Sequence, residues 1–271
     1  DLVGPHAYRV VVGTYHSLAR QLVERNAADL GWLGVPSILT GVEQERLVAE
    51  LLSEEDPDAW SAVTRNLLGS DVMAAEITDF ILRSSEQRLG PEDIAAHDRA
   101  QWRGIPSFLR RYDRALLDQN RVDYGRLLMQ AATLVETVPS IGEEFSLVVA
   151  DEYQDTSPVQ SAFLLAIASA AGDLTVAADP YQSIYSFRGT DIDNVFSFPN
   201  DAETALGTRA ERLILTTSFR VPAEILDAAV SVTARELPGG AGRVRSTRTA
   251  GSVVCHEFST TGTEAEWIAS D

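Results

Sequence analysis

Apolar residues in the first forty positions come in two spacings. Tyr8–Val12 is a short β-branched run ending at Gly13, whereas from Ser17 to Leu30 the apolar positions recur at helical intervals until Gly31. That pattern predicts strand, turn, helix. Thr40-Gly41-Val42-Glu43 has the spacing of a capping box, ahead of Leu47, Val48, Leu51 and Leu52 at helical intervals. From there to about Arg121 the periodicity stays helical, with arginines and carboxylates interspersed and Gly90-Pro91 and Gly104-Ile105-Pro106 as punctuation. Residues 41–121 therefore read as an all-helical insertion.

After Asp123 the pattern changes. Phe145–Ala150 is a continuous apolar run, as expected for a strand buried on both faces of a parallel sheet, and it ends in Asp151-Glu152. Thr156-Ser157-Pro158 then opens a helix that runs to about Ala171 and closes at Gly172. Leu174–Ala178 reads as a second buried strand ending in Asp179, Leu213–Thr216 as a third ending near Ser218, and Val253–Phe258 as a fourth. A helix is expected from Pro222 to about Arg235. Strands alternating with helices predict an α/β fold with a parallel sheet, whose ligands sit at the carboxyl ends of the strands. The polar clusters fall at those ends.

Composition narrows the class. With 45% hydrophobic and 23% charged residues over 271 positions, the chain has material for a core. Cys255 is its one cysteine, so no intramolecular disulfide forms, which fits a reducing cytoplasm. No apolar run approaches the ~20 residues of a membrane span. Asp1 stands first, and the expectation is that the protein's start lies upstream. A net charge of −18 argues against a surface that grips nucleic acid everywhere, yet permits a narrow cleft with a few arginines and aromatics. Every basic residue other than histidine is arginine; there is no lysine.

Two segments carry chemistry. Asp151-Glu152-Tyr153-Gln154-Asp155 places an acidic pair just past a buried strand. Such a pair suits a magnesium–nucleotide site: one carboxylate holds the ion or its water, and the next polarises the attacking water. Acidic residues at strand ends also serve as helix caps, so this segment alone leaves both readings open. Asp179-Pro180-Tyr181-Gln182-Ser183-Ile184-Tyr185-Ser186-Phe187-Arg188-Gly189 combines an amide, three aromatics and an arginine. Aromatic rings beside a cation make a platform for single-stranded nucleic acid, with stacking worth ~1–3 kcal/mol per base.

Taken together, Asp-Glu-x-Gln-Asp and Asp-Pro-x-Gln-Ser-Ile-Tyr-x-Phe-Arg-Gly resemble the second and third motifs of UvrD/Rep/PcrA-like superfamily 1 DNA helicases. Thr14-Tyr15-His16-Ser17 is similar to that family's Thr-Phe-His-Ser segment, and Ser218-Phe219-Arg220 to its Asn-Tyr-Arg motif. The resemblance implies RecA-like domains divided as residues 1–40 and 122–210 for the first, 41–121 for the helical insertion, and 211–271 for the opening of the second. It also implies ATP and Mg2+ as cofactors. Asp151 would organise the metal, with Glu152 behind it as general base. Gln154 and Gln182 would contact the γ-phosphate or its attacking water. Phe219 would stack on adenine and Arg220 would act as an arginine finger. Thr14 and His16 would line the DNA track, Phe187 would stack on a base, and Arg188 would brace its loop. Tyr15 and Tyr153 read as packing residues.

The implied partners are single-stranded DNA, duplex junctions and proteins of repair or recombination, with movement 3′ to 5′. Ser218 and Val221 depart from the family's asparagine and serine, Tyr181 from a frequent acidic residue, and Thr190 from a common alanine. The Asp-Pro-x-Gln form is closer to helicases joined to nucleases for break resection, which is the alternative reading. A scaffold that binds single strands without turnover is a third. No Gly-x-x-x-x-Gly-Lys-Ser/Thr loop is present, and without lysine none is possible, so the chain by itself is expected to be inactive as an ATPase.

Overall fold

The computed structural model describes residues 10–185, 190, 192–233 and 244–270. Its contacts divide into two units, Asp1–Ala210 and Glu211–Asp271.

In the first unit, α1 (Tyr15–Arg25) is capped by the Thr14 hydroxyl, which accepts the Ser17 N–H at 3.2 Å. It stops short of the predicted Leu30 because the Asn26 side chain donates back to the Leu22 carbonyl at 2.8 Å. Val10–Val12, the described part of the first predicted strand, pairs with no other strand among the described residues. The chain then forms β1 (Ser37–Ile38), which pairs in parallel with the distant β2 (Arg121–Val122).

Between those strands lie α2 (Gly41–Ser53), α3 (Asp71–Glu86), α4 (Pro91–Ala96) and α5 (Ile105–Asp118). The capping box of α2 is reciprocal: Thr40 N–H donates to the Glu43 carboxylate at 2.8 Å, and Glu43 N–H donates to the Thr40 hydroxyl at 3.3 Å. These helices share a core of their own, including Leu52, Trp60, Ile81, Phe108 and Tyr112. Gly104 opens α5 at φ +94°, where a β-carbon would meet the Trp60 ring at 2.7 Å. A positive φ and a close ring together require glycine there.

The remainder of the unit is α6 (Tyr124–Thr137), β3 (Val148–Ala150), α7 (Pro158–Ala171), β4 (Leu174–Val176) and α8 (Asp193–Leu206). A second core of Leu22, Val23, Leu128, Ala132, Val159 and Phe163 joins α1, α6 and α7. Gly172 ends α7 at φ +87°, the left-handed cap the sequence predicts. β3 and β4 run parallel with Val148 opposite Leu174 and Ala150 opposite Val176. The sequence predicts burial on both faces of this pair, but Val149 is 66% exposed while Ala150 is buried. Side chains alternate along a strand, and α7 covers one face only.

In the second unit, β5 (Thr217–Ser218) and β6 (Arg245–Ser246) form a parallel pair, with α9 (Ala223–Thr233) and α10 (Thr261–Ser270). The strands predicted at Leu213–Thr216 and Val253–Phe258 do not form; pairing falls on the polar residues just after the first run. Leu213 and Leu215 remain more than four-fifths exposed, and among the described residues no strand pairs with them. His256 and Phe258 pack on Trp267 of α10 at ring separations of 4.4 and 5.7 Å. Among the described residues no helix is long and apolar enough to cross a membrane.

Candidate nucleotide and nucleic-acid site

The carboxyl ends of β3 and β4 are tied together past their last paired residues. Ala177 N–H donates to the Ala150 carbonyl at 2.8 Å, and Tyr153 N–H donates to the Ala177 carbonyl at 2.9 Å. Asp151 emerges between these bonds, exposed, its Oδ1 accepting the Glu152 N–H at 2.9 Å. Glu152 follows at φ +52°, ψ +42°, in the left-handed region. A non-glycine residue there costs on the order of 1 kcal/mol and is held by its surroundings. The turn throws Tyr153 inward, fully buried, with its hydroxyl 2.6 Å from the Ser161 hydroxyl and its ring edge-on to Phe198.

Gln154 is the hub. Its side chain is fully buried, its Nε2 donates to Glu152 Oε2 at 2.6 Å, and its Oε1 accepts the Asp179 N–H at 2.9 Å. One amide therefore fixes the acidic pair after β3 to the segment after β4. Asp155 is half-buried; its carboxyl is pushed up by burial and, secondarily, by the charge of Glu152, and Oδ1 has no hydrogen-bond partner among the described residues. Asp179 caps the short 3-10 turn Pro180–Gln182 through Tyr181 N–H at 3.0 Å. Its other oxygen accepts the Gln182 side-chain amide at 2.8 Å. The structure thus brings Asp151, Glu152, Gln154 and Gln182 to one sheet end. Phe187 and Arg188 lie outside the described residues. The Thr190 hydroxyl is buried and has no hydrogen-bond partner among the described residues.

Thr14 and Asp151 line one cavity of about 410 Å³, with Gly13, Tyr15 and Val148–Ala150 in its walls. Thr14 is exposed, and its hydroxyl serves as the cap of α1. His16, half-buried, meets the ring of Tyr124 edge-on at 5.6 Å. Burial holds the His16 imidazole below its ordinary pKa, so it is neutral near pH 7. Tyr124 is the aromatic that the motifs miss: it is half-exposed at the first turn of α6. Its signal in the sequence is an aromatic directly after the capping residue Asp123, outside the four family motifs.

In the second unit Phe219 is 74% exposed and Arg220 is exposed, both directly after β5. The Arg220 carbonyl accepts Arg248 Nη1 at 3.0 Å, and Ser218 Oγ accepts the Val221 N–H at 3.3 Å. These bonds fix the backbone of the turn that presents Phe219 and Arg220.

Residues 2–203 match the model of the UvrD/REP helicase N-terminal domain. The chain is 28% identical over 237 residues to an ATP-dependent DNA helicase PcrA of Staphylococcus epidermidis, covering 85% of this chain and 30% of that protein. It is 27% identical over 235 residues to the ATP-dependent DNA helicase PcrA of Staphylococcus aureus, again covering 85% and 30%. The chain therefore spans less than a third of the length of these relatives.

Proposed function

Because this chain belongs to the UvrD/REP helicase family, we propose that it is part of an ATP-driven motor that moves 3′ to 5′ on single-stranded DNA and opens duplex junctions. In this reading β3, β4 and their helices belong to a first RecA-like domain, residues 41–121 are its helical insertion, and the second unit opens a second RecA-like domain. The observation that carries the reading is the Gln154 bridge. It links the acidic pair after β3 to the segment after β4 that carries Gln182, so both read the state of one nucleotide.

The residues fit a magnesium nucleotide. Mg2+ is held through one or two carboxylates with water and phosphate oxygens, not by a full protein cage. Asp151, exposed at a strand end, supplies such an oxygen. Bound there, the ion would neutralise charge developing on the phosphates. Glu152 takes the proton of the attacking water, and Gln154 holds its carboxylate in register. Gln182 contacts the γ-phosphate or that water. Phe219 stacks on adenine and Arg220 stabilises the transferred phosphoryl group, a contribution worth ~10³–10⁵ in rate in related systems. On the DNA side, Thr14, His16, Phe187 and Arg188 serve the strand, and the exposed ring of Tyr124 adds a face beside His16. The chain has no lysine to grip phosphates, and by itself it turns over no ATP.

The test is ATP hydrolysis by the full reading frame with and without single-stranded DNA, beside Glu152→Gln. DNA-stimulated turnover that falls by about 10²–10⁴ in the variant supports the reading. DNA binding without turnover in the unaltered protein would replace it with a strand-binding scaffold. Robust turnover by the 271-residue chain alone would refute the assignment of the missing phosphate grip.

A further inference from the structure

Asp123 has more partners than a helix cap needs. It is 1% exposed, and its Oδ1 accepts the Arg126 N–H at 2.7 Å, which closes the first turn of α6. Its Oδ2 accepts the Tyr112 hydroxyl of α5 at 2.7 Å and the Gln44 amide of α2 at 3.5 Å. The Arg126 guanidinium turns elsewhere, donating to Asp113 at 2.6 Å and to the Ser85 hydroxyl at 2.6 Å. A serine or asparagine would cap α6 as well. Burying a carboxylate is costly, and here its second oxygen is committed wholly to the helical segment. The next residue is Tyr124, whose ring meets His16. Tyr124 is the first residue of α6, so the cap that fixes where the helix starts also fixes where its side chain leaves the backbone.

We infer that Asp123 is a positioning residue for the His16–Tyr124 surface, and that Tyr112 and Gln44, acting through it, make the direction of that surface depend on the helical segment 41–118. This deepens the reading of that surface as a contact for single-stranded DNA and rests on it. Asp123 itself touches no strand. It sets where Tyr124 stands, and the helical segment sets Asp123. A shift of α5 against α6 would reach the platform through one hydroxyl and one carboxylate.

The experiment uses the 271-residue chain, a fluorescein-labelled oligothymidylate at low salt, and the variants Tyr112→Phe, Asp123→Asn and Tyr124→Ala. Stacking predicts that Tyr124→Ala weakens binding by about tenfold or more. Loss of one hydrogen bond to Asp123 predicts a weakening of roughly two- to tenfold in Tyr112→Phe. The His16 Hε1 resonance, which senses the Tyr124 ring, is expected to move in both Tyr112→Phe and Asp123→Asn. A merely structural tie would lower the melting temperature and leave both readouts in place under native conditions. Unchanged affinity and an unmoved His16 resonance in folded Tyr112→Phe overturn the inference, even if Asp123→Asn does not fold. If the unaltered chain fails to bind the oligonucleotide, the strand reading falls, and the resonance alone then decides whether Asp123 positions Tyr124.

Discussion

The side-chain amide of Gln154 lies 2.6 Å from the carboxylate of Glu152, and its carbonyl takes the backbone N–H of Asp179. Glu152 occupies a left-handed backbone position and is exposed, so this bond from a buried neighbour is what orients its carboxylate. The geometry also explains why a glutamine, and not a hydrophobic residue, fills a fully buried position beside the sheet end. It must donate to one segment and accept from another at once.

Gln154→Ala is expected to leave the Asp179 N–H without its partner and to cost about 1–3 kcal/mol. Denaturant midpoints of the 271-residue chain check this, and a change below about 0.5 kcal/mol would mean that water replaces the amide without loss. Gln154→Glu should be worse, because it sets a second carboxylate against Glu152.

Glu86 ties stability to pH. Burial lifts its carboxyl from 4.5 to about 7, opposed by Arg83 and aided by Asp79. A carboxyl raised in the folded state favours the protonated form. Its contribution is present below 4.5 and is lost as pH rises through 7. Glu86→Gln should therefore stabilise the chain at pH 8 and change little at pH 4. Equal effects at the two pH values would contradict the assignment.

His16 has the opposite sign. Its pKa is lowered by burial, so the neutral ring belongs to the fold and stability is lost as pH falls below 6.5 toward the folded value. Titration of its Hε1 resonance should give a midpoint under 6.5. A midpoint at or above that would mean the ring is solvated and the contact with Tyr124 is not maintained in solution.

Gly104→Ala combines a positive φ with a β-carbon 2.7 Å from the buried Trp60 ring. The expected cost is about 1–3 kcal/mol. Measured beside it, Gly69→Ala, where φ is +79° but nothing lies within 4 Å, should cost only the backbone component. If the two variants match, the ring moves aside at no cost.

Much of this was legible in the sequence where a few adjacent residues decide the outcome. The capping box at Thr40 and Glu43 and the glycine closing α7 are local devices, and they form as their spacing predicts. The apolar runs at Leu213–Thr216 and Val253–Phe258 fared otherwise. A strand exists only with a neighbour to hydrogen-bond, and local pattern carries no information about that neighbour. Pairs of two residues such as β1 and β2 fall below any periodicity, and α8 is disguised by Pro199 within it. At the site, the acidic pair and Gln182 could be read by order, but the bridge through Gln154 and the cap that joins Tyr112 to Asp123 depend on residues far apart in sequence.

The pairing of β1 with β2 has a consequence for how such a chain can change. Leu39 N–H donates to the Val122 carbonyl at 2.8 Å and Ser37 N–H to the Asn120 carbonyl at 3.0 Å, so the helical segment departs and returns through neighbouring threads. Everything between them is a detour whose two ends are already fastened side by side. Such a seam tolerates a longer or shorter segment, provided that the bonds of Tyr112 and Gln44 to Asp123 are kept. Remodelling of the segment's outer parts would then require no change in the two threads that hold it.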